Sequence, residues 1–417
     1  MSDRVDVSAE RGGLLAKHVV PPVGAARHAG APASARMQLA RRLLGMVGPL
    51  LVVALGTALM AWYYYVVQGY THPLDFADLG KVFAGRVGLQ GLATSQFGYD
   101  GQFAYYIARR PAFMLDCAHH TAPCPLDDPA LRTERILYPA TAAALAAGHL
   151  GLLPYTLLLV NFAAILITAL LIGDLCALAG HSRWLGVGAG LFAGQVLGLL
   201  RDLAEPYALM WAVLAVWLAR RGRPLWAAGA VAAALLAREQ LLFILPLLGL
   251  PLVAERRWGR LALAAVIALA PFAAWQAALR ALYGHWPLVD SSGAAPLLHE
   301  PFKALWLARH TPDFGVMVVC VAVPLAAAAG LAAVALWRGG LAGLPRDPVP
   351  LMTLTYCVLV SFTGVPNWED MWAPARLAAP GIVLGVLVAA RLSRSVGASY
   401  ATLLAVTALA PLILKMR

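Results

Sequence analysis

From residue 43 onward, apolar runs long enough to cross about 30 Å of hydrocarbon alternate with short polar connections. The first run, Leu43–Val67, follows Arg41-Arg42. It is longer than a signal-peptide core and no small-residue cleavage site follows it, so it reads as an uncleaved span with its basic end in the cytoplasm. Residues 69–135 are then a polar connection on the outer side. Ile136–Leu150 is apolar but short, and reads as an interfacial or re-entrant segment. Leu152–Ala179 is a full span, while Trp184–Leu200 and Leu203–Ala219 are a pair joined by Arg201-Asp202. Residues 1–42 mix Gly, Ala, Pro and Arg without hydrophobic periodicity, and read as a mobile cytoplasmic tail.

The run Pro224–Ala254 decides the topology. As one helix it would be roughly 45 Å long, too long for a single upright crossing. Arg238-Glu239-Gln240 interrupts it near the middle, and both flanks, Arg220–Arg223 and Glu255–Arg260, are basic. Two short crossings keep both flanks in the cytoplasm and put Arg238-Glu239 at the outer turn. Leu261–Leu282 then crosses outward, residues 283–313 are a second outer loop, and Gly315–Trp337 returns. Pro350–Thr363, a third outer loop over 364–376, Leu377–Ala390 and Ala401–Leu414 complete the chain. The expected fold is all-α: a polytopic transmembrane domain over 43–417 with about eleven spans.

Composition agrees with that pattern. The chain is 61% hydrophobic and only 13% charged, roughly half the charge fraction of a soluble domain. Its net charge of +11 comes from short Arg and Lys clusters between apolar runs, as the positive-inside rule requires, and no soluble face offers a nucleic-acid patch. The five cysteines include no CxxC pair; Cys176, Cys320 and Cys357 lie in apolar runs and read as packing residues.

The acids collect in the outer connections, which orientation alone does not demand. Asp100 sits in Gly98-Tyr-Asp-Gly-Gln-Phe, flanked by Tyr99, Gln102, Phe103, Tyr105 and Tyr106. Asp-Gly is ordinary turn chemistry; the functional reading is a carboxylate at the membrane surface, acting as general base toward a hydroxyl beside an aromatic sugar-stacking wall. Asp202 and Glu205, at i and i+3 before Pro206, read equally as a helix cap and as a paired-acid site. Arg238-Glu239 is either an internal ion pair or a phosphate contact held in place by its neighbour. Arg376, after Asn367-Trp-Glu-Asp-Met-Trp, stands at the mouth of a span and suits a phosphate or pyrophosphate. Cys117 and Cys124 bracket His119-His120, a short disulfide loop in an oxidising compartment or a zinc site, the disulfide being favoured.

Taken together, Tyr99-Asp100-Gly-Gln-Phe-Ala-Tyr-Tyr, Arg135-Ile-Leu-Tyr-Pro139, Asp202-Leu-Ala-Glu-Pro206 and Arg238-Glu239 resemble a group of bacterial integral membrane proteins of cell-surface glycopolymer formation. These in turn resemble the GT-C class of glycosyltransferases. The resemblance runs from about residue 43 to the end, with Cys117–Cys124 an apparent insertion and no large soluble C-terminal domain. It implies a sugar donor on a polyprenyl phosphate, a glycan or lipid acceptor on the periplasmic face of the inner membrane, and a catalytic acid in the first outer loop, matched here by Asp100. Tyr99, Gln102, Tyr106, Arg135, Arg238, Glu239 and Arg376 are the expected substrate-binding residues, with Asp202 and Glu205 as further catalytic acids. Arg238, Arg376 or Arg201 would stabilise the leaving phosphate. A divalent ion could assist, although no ligand set is legible. The rival readings are a transporter or flippase of a lipid-linked or free sugar, which should show internal repeats and acids at midplane depth, and a non-catalytic assembly subunit.

Overall fold

The computed structural model describes residues 32–290 and 300–413. The described residues from Gly45 onward form one compact unit. Among the described residues the chain is helical, with two isolated bridges, Leu79 to Gly98 and Gly80 to Ser95, and no strand. Among the described residues, five helices are long and apolar enough to cross a membrane: Gly45–Val67, Leu153–Leu178, Trp258–Tyr283, Phe314–Gly340 and Trp372–Leu392. Shorter apolar helices are Leu137–Ala146, Pro224–Ala237, Leu245–Ala254 and Val349–Ser361. The chain is an all-α membrane protein.

Several elements differ from the sequence pattern for local reasons. The first helix runs from Pro32, so part of the expected tail is helical; its Ala, Arg, Gln and Leu residues are good helix formers. The expected span Trp184–Leu200 is two short helices, Leu185–Gly190 and Ala193–Leu200, broken at Leu191-Phe192. The Ala193 N–H freed by that break donates to the Thr407 hydroxyl (2.9 Å). The Pro224 helix stops at Arg238 as expected, but the return leg is two 3-10 turns and the short helix Leu250–Ala254, because Pro246, Gly249 and Pro251 interrupt it. Leu137–Ala146 is only 10 residues and ends in left-handed Ala147, too short to cross. The connection expected over 364–376 ends at Met371, because the Asp370 carboxylate accepts from the Trp372 and Ala373 N–H groups (2.9 and 3.1 Å) and starts the next helix there. Arg376 therefore lies inside a helix. Residues 291–299, with His299, lie outside the described residues.

Trp372–Leu392 is the axis of the fold. Its apolar window is 100% buried inside the protein, against 22% for Gly45–Val67 and 17% for Trp258–Tyr283. Ala193–Leu200, Val349–Ser361, Arg394–Thr407 and the helix after Val323 pack around it. Close approach depends on small residues, as van der Waals packing in a bilayer favours. A side chain at Gly194 would meet the Ala375 carbonyl at 2.2 Å, and one at Gly385 would meet the Tyr400 hydroxyl at 2.9 Å. Tyr400 fixes the approach by donating to the Pro324 and Ile382 carbonyls (3.2 and 3.0 Å).

Charge concentrates at the two ends of this bundle. One end carries Asp174 with Arg183, Arg221 and Trp217, and Asp347 with Arg220 and Arg391. The other carries Asp100, Glu205 and Arg376. Glu205 and Arg220 stand at opposite ends of one helix, about 22 Å apart.

Gly194→Ala should lower stability by about 1–3 kcal/mol, since the new methyl pushes the Ala375 backbone away. Gly229→Ala, which meets nothing within 4 Å, should be neutral or gain up to about 1 kcal/mol. Thermal unfolding of both variants in one detergent checks this; equal shifts would show that the axis is not tightly packed.

Candidate functional site

The site begins in the loop before Asp100. Gly98 has φ +76, and a side chain there would lie 2.5 Å from the Asp78 carbonyl, so only glycine fits. Gly101 meets the Arg201 carbonyl even more closely, at 2.0 Å from its ideal Cβ position. The Gly-Tyr-Asp-Gly spacing therefore presses Asp100, at the head of helix Gly101–Arg109, against the Arg201-Asp202 turn. Gln102 stitches the same loop: its Oε1 accepts from the Gly80 N–H (3.0 Å) and its Nε2 donates to the Phe97 carbonyl (2.9 Å).

Around this loop eight charged side chains alternate in sign along one connected path. Asp127 accepts from Arg132 Nε and Nη2 (2.7 and 2.8 Å), and Arg132 Nη1 reaches Asp100 Oδ1 at 2.9 Å. Arg376 Nη2 donates to Asp100 Oδ2 at 2.6 Å, and its Nη1 lies 3.3 Å from Glu205 Oε1. Arg238 Nη2 approaches the same Glu205 oxygen, also at 3.3 Å, and its Nη1 lies 4.0 Å from Glu239. Arg135 closes the path with two bonds to Glu239, 3.2 and 3.1 Å long. Glu205, Arg238, Glu239 and Arg376 are buried and Asp100, Arg132 and Arg135 partly so, where an unpaired charge would be costly, and the alternation meets that cost; Asp127, at the open end, is exposed.

Asp100, Arg132, Arg135, Asp202, Glu205 and Arg376 line one cavity of about 30 Å³, walled by Phe103, Ala104, Ile107, Tyr138 and Pro139. A second small cavity behind it is bounded by Glu205, Arg238, Gln240, Tyr356, Arg376 and Pro380. Glu205 and Arg376 form the wall between the two. Among the described residues, Arg238 Nε and Nη1 and Arg376 Nε are buried without a hydrogen-bond partner, and so are both Asp202 carboxylate oxygens. Asp202 is 0% exposed and holds φ +49, a backbone conformation that non-glycine residues seldom adopt.

Burial alone would raise the proton affinity of Asp100, but Arg132, Arg376 and Arg135 overcome it and hold the carboxyl far below the ordinary carboxylate range. Glu134 behaves oppositely. Burial and neighbouring Glu239 push it up to about 8, against the opposing pull of Arg135, Gln276 and Arg238. Its Oε1 accepts from Gln276 Nε2, while its Oε2 is buried without a partner among the described residues.

Of the sequence-derived candidates, Asp100, Asp202, Glu205, Arg135 and Arg376 meet at the first cavity, and Arg238 and Glu239 join them through ion pairs. Tyr99 stands beside them, its ring facing Arg376 (5.4 Å) and Arg201 (5.5 Å). Gln102 and Tyr106 do not line the cavity: the first holds the loop, and the second is wholly buried beside Tyr105. Arg201 pairs with Asp78 and packs on Trp372 at 4.5 Å, also away from the cavity. Cys117 and Cys124 are joined by a disulfide. Among the described residues, no cluster of three or more His, Cys, Asp or Glu side chains is placed to hold a metal ion. Arg132 and Glu134 escaped the sequence reading. The available signal was the Asp127-Asp128-Pro129 start, where Asp128 caps the Leu131 N–H (3.1 Å) and aims Arg132 and Arg135, three apart, to one side.

Comparison with family models, curated proteins and solved structures gives no match.

The two acids predict opposite pH dependences. The stability associated with protonated Glu134 is fully present below the ordinary glutamate pKa and is lost as pH rises to about 8. The stability associated with ionised Asp100 is present above the ordinary aspartate pKa and is lost as pH falls. Glu134→Gln should therefore flatten the decline of the melting midpoint between pH 5 and about 8. An unchanged slope in a thermal-shift series would remove Glu134 as its cause.

Proposed function

We propose that the chain is a GT-C-like glycosyltransferase with about eleven spans, moving a sugar from a polyprenyl-phosphate donor to a glycan or lipid acceptor at the periplasmic face of a bacterial inner membrane. The observation that carries this reading is the pair Arg238 and Arg376. Both guanidiniums are buried, both share one oxygen of Glu205, and both retain N–H groups without a partner among the described residues. Two arginines so arranged suit a phosphate oxyanion, which would supply the missing acceptors. The clusters of basic residues at the opposite end of the bundle support the orientation.

In this reading the acceptor hydroxyl enters the Asp100 cavity and the donor phosphate lies on the Arg238 side. The hydroxyl oxygen attacks the anomeric carbon, the bond from that carbon to the phosphate oxygen breaks, and the hydroxyl proton passes to Asp100. Held by two arginines, Asp100 is a weak base. A phosphate that draws Arg376 toward itself removes one of those partners, so donor binding raises the proton affinity of Asp100 where it is needed. The leaving phosphate stays on Arg238 and Arg376, and no covalent intermediate is required. The present cavity of about 30 Å³ is smaller than a sugar, so substrate entry must part the Arg376–Glu205 wall. A transporter would need its ionisable groups at midplane depth, whereas the connected path lies at one end of the bundle.

Purified protein should transfer labelled sugar from a polyprenyl-phosphate donor, and Asp100→Asn should lower the rate about 10²–10⁴-fold with folding intact. Arg238→Ala should mainly raise the donor KM. Sugar-lipid flipping in liposomes by wild-type protein, with no transfer from any donor, would overturn the enzyme reading.

A further inference from the structure

The helix Gly101–Arg109 has two working faces. Phe103, Ala104 and Ile107 look into the Asp100 cavity, while Tyr105 and Arg109, one turn apart, look into another cavity on the opposite side. That cavity is larger, about 230 Å³, and is closed by His72, Leu74 and Asp75 from one loop, Leu92 from another, and Leu150, Gly151 and Pro154 at the start of helix Leu153–Leu178.

Its polar groups leave one charge unanswered. Among the described residues, no carboxylate comes within 4.0 Å of the half-buried Arg109, whereas Arg132, Arg135, Arg201, Arg238 and Arg376 each have one. Arg109 Nη1 donates to the Tyr105 hydroxyl (3.1 Å), which fixes the guanidinium over the cavity. Asp75, on the same wall, keeps its charge but forms no ion pair with Arg109; its Oδ2 is turned to the Thr71 and His72 N–H groups (2.7 and 2.9 Å). His72 Nδ1 accepts from the Leu74 N–H (3.1 Å), which leaves Nε2–H as the donor of that ring. The remaining wall is apolar, and it continues outward through Leu92, Leu150 and Leu152, each about half exposed. The whole lies at the end of a membrane-spanning helix, the depth at which lipid headgroups sit.

We infer that this cavity binds the phosphate of a lipid, with Arg109 and His72 on the phosphate and the lipid body along Leu92 and Leu150. The inference stands apart from the transfer reading, because neither Asp100 nor Arg376 borders this cavity. It also puts a lipid on the back of the helix that carries Asp100.

The test is native mass spectrometry of the full chain in a maltoside detergent, titrated separately with phosphatidic acid, polyprenyl phosphate, diacylglycerol and inorganic phosphate. Wild type should bind one or both phosphate-bearing lipids in preference to diacylglycerol. Arg109→Ala should weaken that binding about tenfold or more with an unchanged melting midpoint, Arg109→Lys should retain part of it, and Leu150→Glu should weaken it independently. Arg109→Gln gives the same readout if the alanine variant does not fold. Preference for phosphatidic acid would identify bulk lipid as the occupant, and preference for polyprenyl phosphate a carrier lipid. Equal lipid binding by wild type and Arg109→Ala, or competition by inorganic phosphate at the same concentration as the lipids, would overturn the proposal.

Discussion

Withdrawing an ionised side chain from water costs several kcal/mol unless an opposite charge accompanies it, and one end of this molecule is built on that constraint. Aspartates, glutamates and arginines from five separate stretches of chain converge there, and each is tolerated because its neighbours have the opposite sign. Arg376 is the pivot. It stands in the enclosed axial helix and touches both Asp100 and Glu205, so the loop bearing Asp100 and the helix bearing Glu205 take their positions from it.

Such a path needs backbones closer together than ordinary side chains permit. Gly101 lets Asp100 rest on the Arg201-Asp202 turn, and Gly194 lets the axial helix approach at Ala375, one residue before Arg376. Those glycines and the charges are parts of one design, the first setting the spacing that the second requires. The exceptions are informative in the same way. Asp202, without partners among the described residues and in an unusual backbone conformation, and the arginine N–H groups beside Glu205 are costs that packing does not explain.

Much of this architecture was legible because hydrophobicity and charge are properties of single residues. Arg238-Glu239 broke an apolar run that would otherwise be too long, and the helix does end there. Asp100, between two glycines and aromatics, marked the loop that the structure folds against Arg201. Features that depend on partners distant in sequence were not legible. Gln102 was expected to bind substrate, but its amide is engaged at both ends by Gly80 and Phe97. Arg132 carries no local signal of its role, because Asp100 and Asp127, which close around it, are set by the fold. The break at Leu191-Phe192 was hidden inside an apolar run, because its N–H finds the Thr407 hydroxyl from the far end of the chain.

The position of the axial helix also orders the birth of the protein. Arg376 follows Asp100 by 276 residues, so a ribosome delivers the acid and its nearer partner Arg132 long before the second cation that completes the cluster. Until then Asp100 has Arg132 alone, and the earlier helices must wait around a vacant centre with apolar flanks shared with lipid. Assembly of the core is thus a late step that follows insertion, and a chain stopped before residue 372 would have its outer helices and no centre to hold them.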